Sequence, residues 1–194
     1  SIYVKKAQYQ AQYTLADSTT KDSLIKSARA YLLKTVSEEV FPKWYGTPWD
    51  FNGTTRNPRQ GKIACGYFVN NVITDLGFKI PRVKWSQSAS EVFIKKLAPN
   101  DIKRFSNRPI EEVKRYLLKS GDGLYVVGLD IHVGFILVEA GKAKFIHSSY
   151  YQPDIGVMEE DLVAGNPLGD SDYRVIGKLF TDEMMVKWIN GIAY

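Results

Sequence analysis

The spacing of apolar residues changes once along this chain, and that change limits the fold more than any other feature. In the first part of the chain, apolar residues recur at intervals of three and four, which is the period of an amphipathic helix. From residue 124 onward, short runs of β-branched and aromatic residues are separated by Gly and Asp, as in strands joined by turns. Helices first and strands afterwards predict an α+β fold with an antiparallel sheet rather than alternating βαβ units.

The same patterns predict the individual elements. Asp17 to Thr20 offer N-cap chemistry and open a helix of about 20 residues that ends before Pro42. Residues 1–16 have weak periodicity and are predicted to form an N-terminal arm, whereas the Gly- and Pro-rich residues 42–62 are predicted to form a loop. Further helices are predicted over 65–76, 87–97, 109–119 and 182–190, and strands over 124–127, 131–138, 144–148 and 173–180.

Length and composition predict one globular domain over residues 1–194. The chain is 44% hydrophobic and 24% charged, and no stretch approaches the roughly 18 apolar residues of a membrane-spanning helix. Its net charge of +5 is scattered in short pairs of basic residues, which argues against a nucleic-acid partner. A weak positive field favours an anionic substrate, such as a peptide that carries carboxylates.

The cysteine count and the N-terminal sequence lead to two further expectations. The single cysteine, Cys65, excludes an internal disulfide and argues against a metal site built on cysteines. The sequence begins at Ser1 without a signal segment, so the expectation is that an export signal has been removed.

Cys65 is the first candidate for chemistry, because it begins a predicted helix directly after an irregular loop. The free N–H groups and the positive end of the dipole at a helix start favour a thiolate, and they can stabilise an oxyanion at the attacked carbonyl. The structural alternative is a buried, inert thiol on an apolar helix face.

The two histidines of the chain are candidates for its partners. A two-residue turn at Ala140-Gly141 would place His147 opposite Gly134 and diagonal to His132, within reach of the two imidazoles. An odd-length connection would instead place them on opposite faces of the sheet. A nucleophile at a helix start, a base on a strand and an orienting residue on the next strand form a triad of the activated-thiol type.

The segments that carry these residues resemble the motifs of NlpC-type papain-like cysteine peptidases. Those motifs are Asp-Cys-Ser-Gly-Phe-Val, Gly-Asp-Leu, His-Val-Gly-Ile and Ile-His-Ala, in that order. The matching runs are Ile63-Ala64-Cys65-Gly66-Tyr67-Phe68-Val69, Gly121-Asp122-Gly123-Leu124, His132-Val133-Gly134-Phe135-Ile136 and Phe145-Ile146-His147-Ser148. The resemblance extends over residues 42–150.

The resemblance implies a papain-like fold, with the nucleophile helix packed on a central antiparallel sheet. It implies that Cys65 is the nucleophile, His132 the base and His147 the third residue of a hydrolase that cleaves amide bonds in cell-wall peptides through a thioester, without a metal or organic cofactor. Ala64 and Gly66 stand where the family has Asp and Ser, so the family's usual bond and substrate end do not transfer.

The loop before Cys65 is unusually aromatic. In the family a tyrosine from this region lines the site beside the oxyanion. Tyr45 is its best counterpart in this chain, and Trp49 is the second. Gly66 is also predicted to line the substrate pocket, because the family residue at its position helps to shape that pocket. The alternative interpretation is that these aromatic residues only pack the loop.

The sequence therefore predicts a monomeric, exported cysteine peptidase or amidase, in the periplasm or cell envelope, that acts on a peptidoglycan peptide or a related small peptide. Two alternatives stay open. One is a transglutaminase-like or other acyl-transfer enzyme, although its usual third residue is Asp and its cysteine is typically followed by Trp. The other is an inactive cell-wall-binding module that uses the aromatic loop.

Overall fold

The computed structural model describes all 194 residues and shows an α+β protein built on one six-stranded antiparallel sheet. Its helices are α1 (Ile2–Leu15), α2 (Ser18–Thr35), α3 (Phe41–Trp44), α4 (Cys65–Asp75), α5 (Arg82–Ser86), α6 (Ser90–Leu97), α7 (Ile110–Ser120), α8 (Pro167–Asp170) and α9 (Asp182–Asn190). Its strands are β1 (Ile102–Ser106), β2 (Gly123–Leu129), β3 (Val133–Glu139), β4 (Lys142–Ser148), β5 (Val157–Asp161) and β6 (Tyr173–Lys178). They lie in the order β1-β6-β2-β3-β4-β5. None of the helices combines the length and apolar character that crossing a membrane requires.

Both faces of the sheet are covered. β2 is buried at every position, and successive side chains of a strand point to opposite faces. Leu124 and Val126 join the larger apolar cluster, which includes residues of α2, α4, α6 and α9. Tyr125 and Val127 join the smaller cluster, which includes residues of α7. The predicted nucleophile helix, α4, packs on β3 and β4 in the middle of the sheet.

The predicted N-terminal arm is wrong, because Ile2–Leu15 forms helix α1. This helix packs on α2 and α9, and it buries Tyr9 with its ring centroid 6.1 Å from that of Trp188. A sequence with little helical periodicity forms a helix here because its few apolar side chains find partners in the tertiary structure.

The helix predicted to end before Pro42 instead continues past it. After α2 the chain forms a π-helical turn over Val36–Val40, in which the N–H of Phe41 donates to the carbonyl of Val36, five residues earlier. The chain then continues into α3, whose first turn contains Pro42.

The sheet contains two strands, β1 and β5, that the sequence patterns do not predict. β5 is an edge strand that ends in three acidic residues, which have low β-propensity and are typical of exposed edges. The predicted strand 131–138 starts later, at Val133, so that His132 lies in the turn before β3.

Candidate active site

Cys65 is the first residue of α4, as predicted, and it lies where an irregular segment enters the helix. Ala64 precedes it in an extended conformation, and no side chain caps the helix, so the N–H groups of the first turn have no side-chain acceptor. The hydroxyl of Ser148 on β4 donates to the carbonyl of Ile63 at 2.8 Å. This buried hydrogen bond ties the approach to Cys65 to the strand that carries His147.

The loop in front of Cys65 is held by backbone hydrogen bonds to the segment after β4. The N–H of Gly46 donates to the carbonyl of Val157 at 2.9 Å, and the N–H of Val157 returns a bond to the carbonyl of Thr47 at 2.9 Å. The N–H of Trp49 donates to the carbonyl of Pro153 at 2.8 Å. The loop is therefore anchored close to β4, the strand that carries His147.

Gly66 allows α4 and α5 to approach closely beside the cysteine. A Cβ at this position would lie 2.5 Å from the carbonyl oxygen of Ser86, a distance that real Cβ atoms do not show. The serine that NlpC-type peptidases carry here would not fit without a shift of one helix. Gly66 borders both of the cavities that open at Cys65.

The two histidines contact each other as the two-residue turn predicts. Phe135 pairs with Ile146 across the β3–β4 hairpin, a register that brings Gly134 alongside His147. The Nε2 atom of His132 lies 2.8 Å from the Nδ1 atom of His147, with the two rings nearly perpendicular. A Cβ on Gly134 would come within 2.9 Å of the Cβ of His147, so the glycine leaves room for this pair.

The remaining ring nitrogen of His132 is free. Its Nδ1 is buried and has no hydrogen-bond partner. His132 and Cys65 border the same two cavities. A buried ring nitrogen without a partner, in a residue that borders the same cavities as a thiol, is a candidate proton acceptor. Hydrogen bonds between catalytic groups often form only with substrate in place.

The thiol and the imidazoles are poised as neutral groups. Burial raises the pKa of Cys65, and backbone hydrogen bonding from Val133, Gly66 and Cys65 itself only partly opposes it. Burial also lowers the pKa of His132 well below its ordinary value, and the nearby His147 adds to the effect. Burial therefore acts against the thiolate that the helix start is predicted to favour.

A fourth side chain, Glu160 of β5, extends the line of contacts. Its Oε2 atom lies 2.6 Å from the Nε2 atom of His147. Sequence reasoning missed Glu160, because β5 was not predicted and its acidic run resembles an exposed loop. No cluster of three His, Cys, Asp or Glu side chains is arranged to hold a metal ion.

Two cavities meet at Cys65, and they differ in character. The aromatic cavity, of about 710 Å³, is bordered by Trp49, Phe51, Tyr67 and Tyr150. The serine cavity, of about 490 Å³, is bordered by Ser86, Ser88, Ser90, Glu91 and Asp130. The two cavities adjoin each other, since Ser86, Ser88, Ile131 and His132 border both.

The structure separates the two aromatic candidates of the loop. Trp49 borders the aromatic cavity, whereas Tyr45 borders neither cavity. The hydroxyl of Tyr45 donates instead to Glu159 on β5 at 3.2 Å, so its predicted place beside the oxyanion is wrong. Tyr150, which sequence reasoning missed, borders the aromatic cavity, and its ring centroid lies 5.1 Å from that of His132.

No protein-family model matches this chain, and no curated protein is similar to it at a significant level. The likeness to NlpC-type peptidases therefore rests on the short motifs alone. The site combines a thiol at a helix start, an imidazole with one free nitrogen, a second imidazole that contacts the other nitrogen of that ring, and two adjoining cavities. Nucleophilic acyl transfer requires groups of these kinds.

Proposed function

We propose that this protein is a cysteine peptidase or amidase of papain-like, NlpC-type architecture that cleaves amide bonds in peptidoglycan peptides. The proposal rests on one arrangement. Cys65 at the start of α4 borders the same cavities as His132, whose Nδ1 is buried without a partner and whose Nε2 contacts His147 at 2.8 Å.

The first half of the reaction forms a thioester. His132 Nδ1 accepts the thiol proton as the sulfur of Cys65 attacks the amide carbonyl, which keeps both groups neutral until substrate is bound. The free N–H groups at the start of α4 stabilise the oxyanion of the tetrahedral intermediate. When that intermediate collapses, the imidazolium of His132 gives its proton to the leaving amine, and the acyl group remains on the sulfur.

The second half hydrolyses the thioester. His132 accepts a proton from a water molecule as the oxygen attacks the acyl carbon, and it returns that proton to the departing sulfur of Cys65. His147 accepts a hydrogen bond from His132 Nε2 throughout, which holds the tautomer with a free Nδ1. Apart from the substrate and the hydrolytic water molecule, each step uses only side chains and backbone groups of this chain.

Three observations support a cell-wall peptide as the substrate. The four motifs that carry the triad resemble those of peptidases that act on such peptides, and the net charge of +5 suits a peptide with carboxylates. The two adjoining cavities at Cys65 provide room for a peptide at the sulfur. A substrate of this kind places the reaction in the cell envelope.

Digestion of defined muramyl peptides with mass spectrometry of the products tests the proposal. We expect the wild type to release peptide fragments, and we expect Cys65→Ser and His132→Ala each to lose at least about 10³-fold in kcat/KM, because they remove parts of one catalytic unit. The double variant Cys65→Ala/His132→Ala should be no worse than either single variant.

Intact-protein mass spectrometry provides the control for mechanism. Since Cys65 is the sole cysteine, an acyl adduct that hydroxylamine removes and that Cys65→Ser never forms must be the thioester. Transfer of the acyl group to an added amine in preference to water would identify an acyl-transfer enzyme instead. Binding to peptidoglycan without any product would identify an inactive wall-binding module.

A further inference from the structure

We infer that Glu160 is a positioning residue that sets where both histidines carry their protons. Glu160 and His147 lie diagonally on one face of neighbouring strands, because Phe145 pairs with Glu160 and His147 pairs with Met158. The side chain of His147 is fully buried, and that of Glu160 is only 17% exposed. The inferred effect on catalysis rests on the proposed function, whereas the proton arrangement itself does not.

The arrangement follows from what each atom can donate. A carboxylate can only accept hydrogen bonds, so the 2.6 Å contact requires a proton on His147 Nε2. A neutral His147 then has a bare Nδ1, which can only accept, so the 2.8 Å contact requires a proton on His132 Nε2. A neutral His132 is left with a bare Nδ1, and this is the buried atom that has no partner.

Glu160 therefore acts on His132 through His147. Two neutral imidazoles joined by one hydrogen bond can hold their protons in either direction, since each ring can be donor or acceptor. In the reverse direction the proton of His132 lies on Nδ1, where the ring cannot accept the thiol proton of Cys65. The Glu160 carboxylate excludes this reverse arrangement, because it requires a proton on His147 Nε2.

The neighbouring carboxylates of β5 do not share this role. Glu159 accepts a hydrogen bond from the hydroxyl of Tyr45 at 3.2 Å, and Asp161 pairs with the ammonium of Lys144 at 2.7 Å. Glu160 is thus the member of three consecutive acidic residues that contacts the histidine pair. Asp161 offers a matched control, because Asp161→Asn also removes one negative charge from the same strand.

Nitrogen-15 NMR of the imidazole rings tests the inference without any substrate. The chain has only two histidines, so every imidazole signal belongs to His132 or His147, and protonated and bare ring nitrogens have distinct chemical shifts. We expect the wild type to show both rings neutral at pH 7.5 with the proton on Nε2. Asp161→Asn should give the same spectrum.

Variants of Glu160 should change that spectrum. In Glu160→Gln the amide can donate as well as accept, so part of the population should carry the proton on Nδ1 of both rings. Glu160→Ala should also give a mixture, and Glu160→Asp, which keeps the carboxylate, should restore much of the single arrangement. We expect Glu160→Gln and Glu160→Ala to lose about 10–100-fold in kcat/KM, a loss typical of removing the outer partner of a functional imidazole.

Two results would overturn the inference: a proton on Nδ1 of His147 in the wild type, or a wild-type spectrum in both Glu160→Gln and Glu160→Ala. Circular dichroism identifies any variant that fails to fold, and Glu160→Gln, which is nearly isosteric, then decides the question. If the spectra respond to Glu160 but no muramyl peptide is cleaved, the proposed function fails and the proton arrangement stands. If muramyl peptides are cleaved but the spectra do not respond to Glu160, the inference about Glu160 fails and the proposed function stands.

Discussion

The thiol of Cys65 lies at the start of a helix, yet burial raises its pKa, and burial likewise lowers the pKa of both histidines. At the scale of single residues, desolvation therefore favours the neutral forms of the thiol and of both imidazoles. The consequence is a site that depends on correct tautomers, because a neutral imidazole accepts a proton only at its bare nitrogen. His147 contacts the Nε2 atom of His132 and so influences which nitrogen of that ring carries the proton.

Replacement of His147 tests this dependence. We expect His147→Ala to reduce kcat/KM on the order of 10–10³-fold, below the roughly 10⁴-fold loss that follows neutralisation of a triad carboxylate. His147→Asn should recover part of the loss, since its side-chain oxygen can still accept from His132. Steady-state kinetics on the cleaved muramyl peptide measure both variants.

The size of the loss assigns the role. Inactivity of His147→Ala equal to that of Cys65→Ala would mean that His147 takes part in the chemistry itself. An unchanged rate would mean that it is only a buried strand residue. Because His147→Ala also leaves Glu160 without its partner, urea unfolding of each variant shows whether the protein remains folded under the assay conditions.

At the scale of elements, the contact between α4 and α5 sets the position of the nucleophile. We expect Gly66→Ala to destabilise the protein by about 1–3 kcal/mol, the usual cost of overpacking, because the new Cβ meets the carbonyl of Ser86. It should also lower the activity of the folded protein, since relief of the clash moves the start of α4 and with it Cys65.

A second glycine separates these two effects. A Cβ on Gly177 of β6 would come within 3.0 Å of the Cβ of Ala98, away from the histidines. We expect Gly177→Ala to lower the free energy of unfolding while the activity per folded molecule stays at the wild-type level. Equal activity per folded molecule in Gly66→Ala would show that the helix start does not depend on this contact.

At the scale of the whole molecule, the buried histidines link stability to pH. The pKa of His132 and that of His147 are lowered in the folded state by burial, although Glu160 opposes the shift for His147. Below the ordinary histidine pKa of about 6.5, the unfolded chain binds protons that the native state does not, so stability falls as pH falls. The slope approaches about 1.4 kcal/mol per pH unit for each such proton.

Urea unfolding at pH 7.5, 6.5 and 5.5 measures this effect. We expect the free energy of unfolding to decrease over this range, before most carboxylates titrate. Variant His132→Asn should show a smaller decrease, because it lacks one of the two titrating rings. A free energy that stays level or increases on acidification would contradict neutral, buried histidines.

Local patterns in the sequence determined the helix that begins at Cys65, the β3–β4 hairpin and the helix over 182–190. Each is specified by residues close together in the chain: an apolar stripe, a two-residue turn or an N-cap. The contact between His132 and His147 belongs with them, since the register of one hairpin sets it.

Only the tertiary structure decided the rest. Helix α1 has weak periodicity of its own and depends on packing against α2 and α9, and the acidic strand β5 depends on pairing with β4. Trp49 borders the aromatic cavity and Tyr45 does not, and this difference depends on how the loop is anchored to the segment after β4. Glu160 reaches His147 through strand pairing, so its part in the site could not be read from the sequence, because the physical determinant is a contact between separate elements.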